Sequence, residues 1–484
     1  MSRVVRKSLF RHVFGKDPRK EETFEDIKVS KNSWEAPFCA VNPKFVAVCL
    51  ASAGGGAFLV LPLSKTGRVE LNSPRVAGHH GDVLDLAWNP FNDNMIASSS
   101  EDMKVMLWEI PDIGLAHDLT TPLVTLSHHQ RRVGIVRWHP TAENILLSAS
   151  HDNLICVWNL ESGDIVTEID CHPDTIFCVT WNHDGSKIAT TCKDKKLRML
   201  DPRSGEVVKV CDGHEGSKPQ QIAFCSKTDN LFTTGFSRMS ERQYAIWDKN
   251  LEQLTLEDID SSNGVQFIRY DPDTNMIWLI GKGDCLIRYY ELVDEEPYCY
   301  WITNYQGKDP QRGFGFMPKR GCNISINEIC RIYRMTGKGH ILPVSFTVPR
   351  KSEMFQEDLF PPTQSGDASL TADEWLEGKN AEPKLMSLEA LFKGKGQAAT
   401  TAKKSTGLSS LKGKLAAKKT KGGAAGQEEE MDVNKLLDTL KKLNNKVEKL
   451  EKSNAELENR VTELETVVTG EDNGEGQDEE DDDK

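Results

Sequence analysis

Gly78-His79-His80-Gly81-Asp82-Val83-Leu84-Asp85-Leu86-Ala87-Trp88, continuing as NPFNDNMIASSSEDMKVMLWEI to residue 110, is the stretch from which the fold can be read. Apolar residues alternate over short runs. The pairs Asn89-Pro90, Asn92-Asp93 and Glu101-Asp102 interrupt them, as turns between four short strands do. The unit recurs. Apolar residues followed by an acid or amide stand at Trp108-Glu109, Trp158-Asn159, Leu200-Asp201, Trp247-Asp248 and Tyr290-Glu291, in steps of 50, 42, 47 and 43 residues. A second aromatic series at Trp88, Trp138, Trp181, Phe224 and Tyr270 runs about twenty residues ahead of the first. Four strands at a 40–50-residue period are the sequence form of a propeller blade with WD repeats.

In such a blade a loop His, a turn Asp, a strand Ser or Thr and the Trp indole can share buried hydrogen bonds, so that no polar group is stranded. His79, Ser98, Asp102 and Trp108 occupy those positions. Asp152 with Trp158, Asp194, His214 with Trp247, and Asp284 are their counterparts in later repeats, and Glu241 stands in a longer loop of the fourth. Repetition assigns these residues to structure, since a catalytic carboxylate or a metal ligand would stand alone in its role; no metal and no cofactor are expected.

Five repeats are clear. Residues 38–63 and Pro297 to about Val348 supply two weaker ones, giving an all-β, seven-bladed WD-repeat propeller, with FEDIKVS (24–30) as the outer strand that closes the last blade. The expected organisation is a propeller over 1–348, an extension packed on it over 349–392, a Lys/Gly/Ala-rich linker over 393–427, a coiled coil over 428–469 and an acidic tail over 470–484. The linker carries nine lysines and no acid, and residues 471–483 carry nine acids and no base. Neither run holds enough apolar surface to offset its ordering entropy. Between them Val433, Leu440, Val447, Asn454, Val461 and Val468 fall at heptad position a, and Leu436, Leu443, Leu450, Leu457 and Leu464 at d.

The 484 residues carry a net charge of −13, which argues against bulk binding to nucleic acid. No apolar run approaches the ~18–20 residues of a membrane span, and the N-terminus lacks a secretory h-region. Twelve scattered cysteines without a C-x-x-C pair suit a reducing compartment, so a cytoplasmic protein is expected. No phosphate loop and no G-x-S-x-G nucleophile motif is present, and a non-enzymatic role follows.

The blocks VVRKSLFRHVFG (4–15), WEAPFCAVNPKF (34–45), GGGAFLVLPLSKTGR (54–68), TTGFSRMSERQ (233–243), GKGDCLIRYYE (281–291), PQRGFGFMPKRG (310–321) and TVPRKSEMFQEDLFP (347–361) resemble the coronin family, in the same order, from about residue 3 to 392. The resemblance implies a short, single-propeller coronin that binds actin filaments. It further implies regulation of the actin-branching complex of actin-related proteins, cooperation with cofilin in turnover, and a place at the cell cortex in motility and uptake. It puts a basic filament contact, usually Arg, at Lys28. Arg6, Lys7, Arg11 and Lys31 are the neighbouring bases expected to meet acidic actin. Ser2, followed by Arg3 and Arg6, is a candidate phosphorylation site, and the lysine linker a candidate weak contact for anionic lipid. Arg460-Val461-Thr462-Glu463-Leu464-Glu465 resembles the trimer motif of short coronin coiled coils, with Arg460 at g and Glu465 at the following e. It favours a homotrimer, whereas Val at a, Leu at d and Asn454 lean toward a parallel dimer. The rival function class is a generic WD-repeat scaffold for vesicle-coat, ubiquitin or other complexes.

Overall fold

The computed structural model describes residues 8–51, 56–225 and 229–393. The heptad residues from Val433 to Val468, the linker, the acidic tail, Ser2, Arg6 and Lys7 lie outside them.

Seven antiparallel sheets stand around a common axis. Their innermost strands are Cys39–Val41, Val83–Trp88, Val133–Trp138, Ile176–Trp181, Gln221–Phe224, Gln266–Asp271 and Gln311–Phe316, which begin blades 1 to 7 in chain order. Successive inner strands lie against one another, and Gln311–Phe316 returns to Cys39–Val41, which makes the ring. Each blade is covered on both faces by its neighbours. The second strands Met95–Ser100 and Ile145–Ser150 are therefore buried at every residue, and MIASSS and ILLSAS show no alternation. At the rim only one face is covered, and Val124–Ser127 alternates buried with exposed.

Three boundaries differ from the sequence reading. Cys299–Gln306 pairs with Leu286–Leu292 as the outer strand of blade 6, so blade 7 begins at Gln311 and not at Pro297, which sits in the turn between those strands. Closure also starts earlier than residue 24. Phe14–Lys16 pairs with Ser345 to Thr347, and Phe24 with Ile341, so two short pieces of the N-terminus together form the outer edge of blade 7. Val29 has already left that edge to bridge Leu50 of blade 1. Blade 1 extends past residue 63 to an outer strand at Arg75–Val76.

Beyond Thr347 the chain is a strap. Leu359, Phe360, Leu370, Trp375, Leu388 and Leu391 are buried and join the main apolar core of the ring. Thr363–Gln364 pairs with Leu385–Met386, and Leu370 bridges Ala142 of blade 3. The short helix Ala372–Leu376 starts with a capping box in which the Thr371 side chain accepts from the Glu374 amide and the Glu374 carboxylate accepts from the Thr371 amide.

Candidate functional site

The repeated polar residues form closed hydrogen-bond chains. In blade 2 the Trp108 indole donates to Ser98 Oγ at 2.8 Å, Ser98 Oγ meets His79 Nε2 at 2.7 Å, and His79 Nδ1 meets Asp102 Oδ2 at 2.9 Å. Blade 3 repeats this with Trp158, Ser148, His129 and Asp152 at 2.9, 2.8 and 3.0 Å. Ser, His and Asp are also the residue types of hydrolase triads. Here the serine oxygen is already taken by an indole, and Ser98 and Ser148 are fully buried, so the chain of bonds fastens the second and third strands to the loop that enters the blade. Burial pushes the Asp102 carboxyl up, and His79 together with the His80 and Lys104 amides more than reverses this, leaving it below the usual range.

The counterparts diverge. In blade 4 His172 still meets Thr190 Oγ1 at 2.9 Å, but Leu200 stands where an indole would, and Asp194 is held by Arg198. In blade 5 Trp247 donates to Thr233, which meets His214 Nε2 at 3.0 Å. Glu241 does not complete that chain; its amide and carboxylate turn to Ser237 in its own loop. Asp284 has no histidine partner. It accepts from Arg242 Nη1 of blade 5 at 2.7 Å, while Arg242 Nε and Nη2 grip Asp260 at 2.6 Å each and Arg288 also reaches Asp260. Blades 5 and 6 are thus joined by a buried ionic cluster that repeat periodicity could not reveal.

His139, His172 and His214 are nearly or fully buried, and burial pushes them down to about 3, 4 and 4. Their unfolded values are higher, so the unfolded chain takes up protons first as the pH falls. Each adds up to ~1.4 kcal/mol of destabilisation per pH unit below about 6.5. Denaturant titrations from pH 7 to pH 4.5 should therefore give a steep fall in unfolding free energy; a flat profile would contradict the neutral, buried assignment.

The turns that carry Asp102 and Asp152 define one face of the ring, and the segment after the closing strand crosses that face. Asn32 Nδ2 donates to Asp82 and Glu101 of blade 2. Trp34 is 8% exposed, donates its indole N–H to the Gly134 carbonyl of blade 3 at 2.9 Å, and lies against His151 and under Arg132. Lys282 of blade 6 donates to the Trp34 carbonyl, and Arg312 of blade 7 to the carbonyls of Ser30 and Asn32. One short segment thus touches blades 2, 3, 6 and 7 and covers the mouth of the axis. The opposite face carries the strap, whose Trp375 is fully buried against His139 and Trp181 with Arg203 stacked 4.4 Å from its ring. Sequence reasoning singled out neither tryptophan. The available signal was position: Trp34 and Trp375 belong to neither periodic series.

Among the sequence-predicted docking residues, Arg11, Lys28 and Lys31 are exposed. They do not form one cluster. Lys28 and Lys31 follow Phe24, which faces Ile341, whereas Arg11 precedes Phe14, which faces Thr347. Six residues of strand separate those ends, about 20 Å. Lys28 is held on either side: the Ile27 amide donates to the Gly339 carbonyl at 3.0 Å, and the Lys28 carbonyl accepts from Ala51 at 2.9 Å. The turn around Gly339 joins the second and third strands of blade 7, so Lys28 stands at the rim of the Trp34 face.

Comparison with known proteins agrees with this anatomy. Residues 3–68, which hold the closing strands, the axis segment and most of blade 1, match a family described as a domain of unknown function (DUF1899). Residues 86–184 match the anaphase-promoting complex subunit 4 WD40 domain. Residues 341–383 match a type of WD40 repeat, although here they supply one strand of blade 7 and then the strap. A structure of the mitotic checkpoint complex is similar at 13% identity and TM-score 0.51 over 68% of this chain and 95% of that one, a likeness of fold alone. The crystal structure of the WD40 domain from Toxoplasma gondii coronin is similar at 28% identity and TM-score 0.74, covering 78% of this chain and 97% of that chain. With an N-terminal domain that both closes the ring and caps its axis, joined to WD40 repeats in a coronin-like propeller, the chain is similar to the coronin family in domain order and fold.

Proposed function

We propose that this chain is an actin-filament-binding adaptor whose propeller docks through the rim of the Trp34 face, with Lys28 as the central contact and Lys31 beside it. The observation that carries the reading is Lys28 itself: an exposed base at the position where the family resemblance puts a filament contact, on backbone tied to both blade 7 and blade 1. A docking charge mounted on fixed backbone loses little freedom on binding. An ammonium makes a point contact where a guanidinium would fork, so lysine here tunes affinity without removing charge complementarity. Arg11 is a second exposed base, at the far end of the same edge; Arg6 and Lys7 lie outside the described residues.

The remaining parts follow from the family. The heptad segment assembles several chains, with a homotrimer favoured over a dimer, and linked copies turn weak filament contacts into strong ones. Regulation of the branching complex and of cofilin-dependent turnover, weak contact of the lysine linker with anionic lipid, and residence at the cytoplasmic actin cortex complete the proposal, which is a scaffold role and not an enzymatic one.

Co-sedimentation with actin filaments tests it. Lys28→Asp should weaken binding by about tenfold or more, the scale expected of a reversed interfacial charge, with an unchanged melting temperature. Equal binding by parent and variant would remove Lys28 from the interface, and no binding by the parent would remove the function.

A further inference from the structure

The outer strand of blade 4, Val207–Asp212, is the edge of its sheet and pairs only inward, with Lys196–Leu200. It reads VVKVCD, and none of its residues is buried. Val207, Val208 and Val210 are 43%, 49% and 52% exposed. A bulge sets two of these valines side by side: Met199 faces Lys209 and Leu200 faces Val207, so Val208 is skipped. Other rims are blunted. Blade 7 is covered by Phe14–Lys16, and the outer strands of blades 2, 3 and 5 expose Thr125 and Ser127, Glu168, and Glu257 and Asp258. Exposed β-branched side chains beside an unpaired row of N–H and C=O groups form a template that accepts another strand.

Charge selects which strand. Lys209 is the single base among the valines, and its ammonium donates to the neutral Asn250 Oδ1 at 2.5 Å. Exposed Glu206 and Asp212 stand three residues to either side, Asp212 shared with Lys196 at 2.8 Å. A second copy of this edge laid antiparallel in register would set Lys209 opposite Lys209 and Glu206 opposite Asp212. Laid parallel, it would set each residue opposite itself. Every charged pair is then a like pair, which destabilises a sheet when directly opposed.

We propose that the outer edge of blade 4 docks an extended segment of a partner protein, added as a fifth strand. The segment carries an acid at its centre facing Lys209, β-branched residues beside that acid, and a base three residues away on each side, facing Glu206 and Asp212. Main-chain hydrogen bonds supply the attraction, and the charges choose the partner. This docking does not involve Lys28, and the inference does not rest on the proposed function.

The test uses the full chain and two end-capped synthetic peptides, Arg-Thr-Val-Glu-Val-Thr-Arg and its charge-reversed form Glu-Thr-Val-Lys-Val-Thr-Glu. Fluorescence anisotropy reads binding, and amide hydrogen exchange reads where the peptide sits. The first peptide should bind about tenfold or more tighter than the second, the sum of three favourable cross-strand pairs against three unfavourable ones. It should also slow exchange within residues 206–212. Lys209→Glu should narrow or reverse the preference between the peptides. Val208→Lys combined with Val210→Lys should abolish the slowing with the parent's melting temperature retained, because both side chains are half exposed and edge lysines block strand addition. Equal binding of the two peptides by the parent overturns the proposal, and so does unslowed exchange over 206–212. Exchange that slows on raising the protein concentration alone would seat a second copy on this edge, and overturns it as well.

Discussion

Trp375→Ala should lower the unfolding free energy by about 3–5 kcal/mol, the range for removing a fully buried indole. The side chain is entirely enclosed, its ring contacts His139 and Trp181, and Arg203 packs on it while donating to the carbonyls of Trp375 and Lys379. Truncation leaves a cavity lined by an imidazole already saturated by the Thr141 and Ala142 amides and the Gly185 carbonyl, which cannot turn to fill it. The strap should loosen from blades 3 and 4, so chemical denaturation should show the loss in midpoint and a protease should cut between residues 361 and 390 sooner than in the parent. A variant with the parent's midpoint would mean that the strap adds nothing to the ring.

Arg242→Met should cost about as much, ~3–5 kcal/mol, for a different reason. Arg242 is 1% exposed and holds Asp260 and Asp284, and removing one partner of a buried ion pair leaves uncompensated charge behind. Burial pushes the Asp260 carboxyl up, and in the parent Arg242, the Ser262 amide and Arg288 more than reverse that, so it sits below its usual value. A depressed carboxyl stabilises the fold above its unfolded value, and that contribution is lost as the pH falls through the folded value. Without the guanidinium the burial effect dominates and the sign reverses, since the folded state then favours the protonated acid. The deficit of Arg242→Met should therefore be largest near pH 7 and shrink on acidification toward pH 5. Combining Arg242→Met with Asp284→Asn should recover part of it at pH 7. A deficit that grows on acidification would show that the cluster is not held by this pairing.

What could be read from the chain follows from how each part is stabilised. Blades 2 and 3 announce themselves because His79 to Trp108 and His129 to Trp158 keep every member of the polar chain, a constraint that ties residue type to spacing. Blade 7 draws its strands from both ends of the chain, so no continuous run of residues contains it, and its start was set fourteen residues too early, at Pro297 in place of Gln311. The ionic cluster at Arg242 was hidden because Asp284 fills a familiar turn while bonding to another blade. The docking residues were legible as charge and as resemblance, but composition does not encode distance, and only the strand register separates Arg11 from Lys28.

The pairing of Phe14–Lys16 with Ser345 to Thr347 also sets an order on synthesis. At ~5–20 residues per second a ribosome needs roughly 15–70 s to pass from the first partner to the second. Throughout that interval Phe14 to Lys16 have no strand to join, while blades 2 to 6 possess all four of theirs and can form as they emerge. The nascent molecule therefore passes through a stage with several finished blades, a free leading segment and a face of blade 1 not yet covered by blade 7. An uncovered apolar face is the kind of surface that calls for a chaperone, and the last strand to be used is among the first to be made.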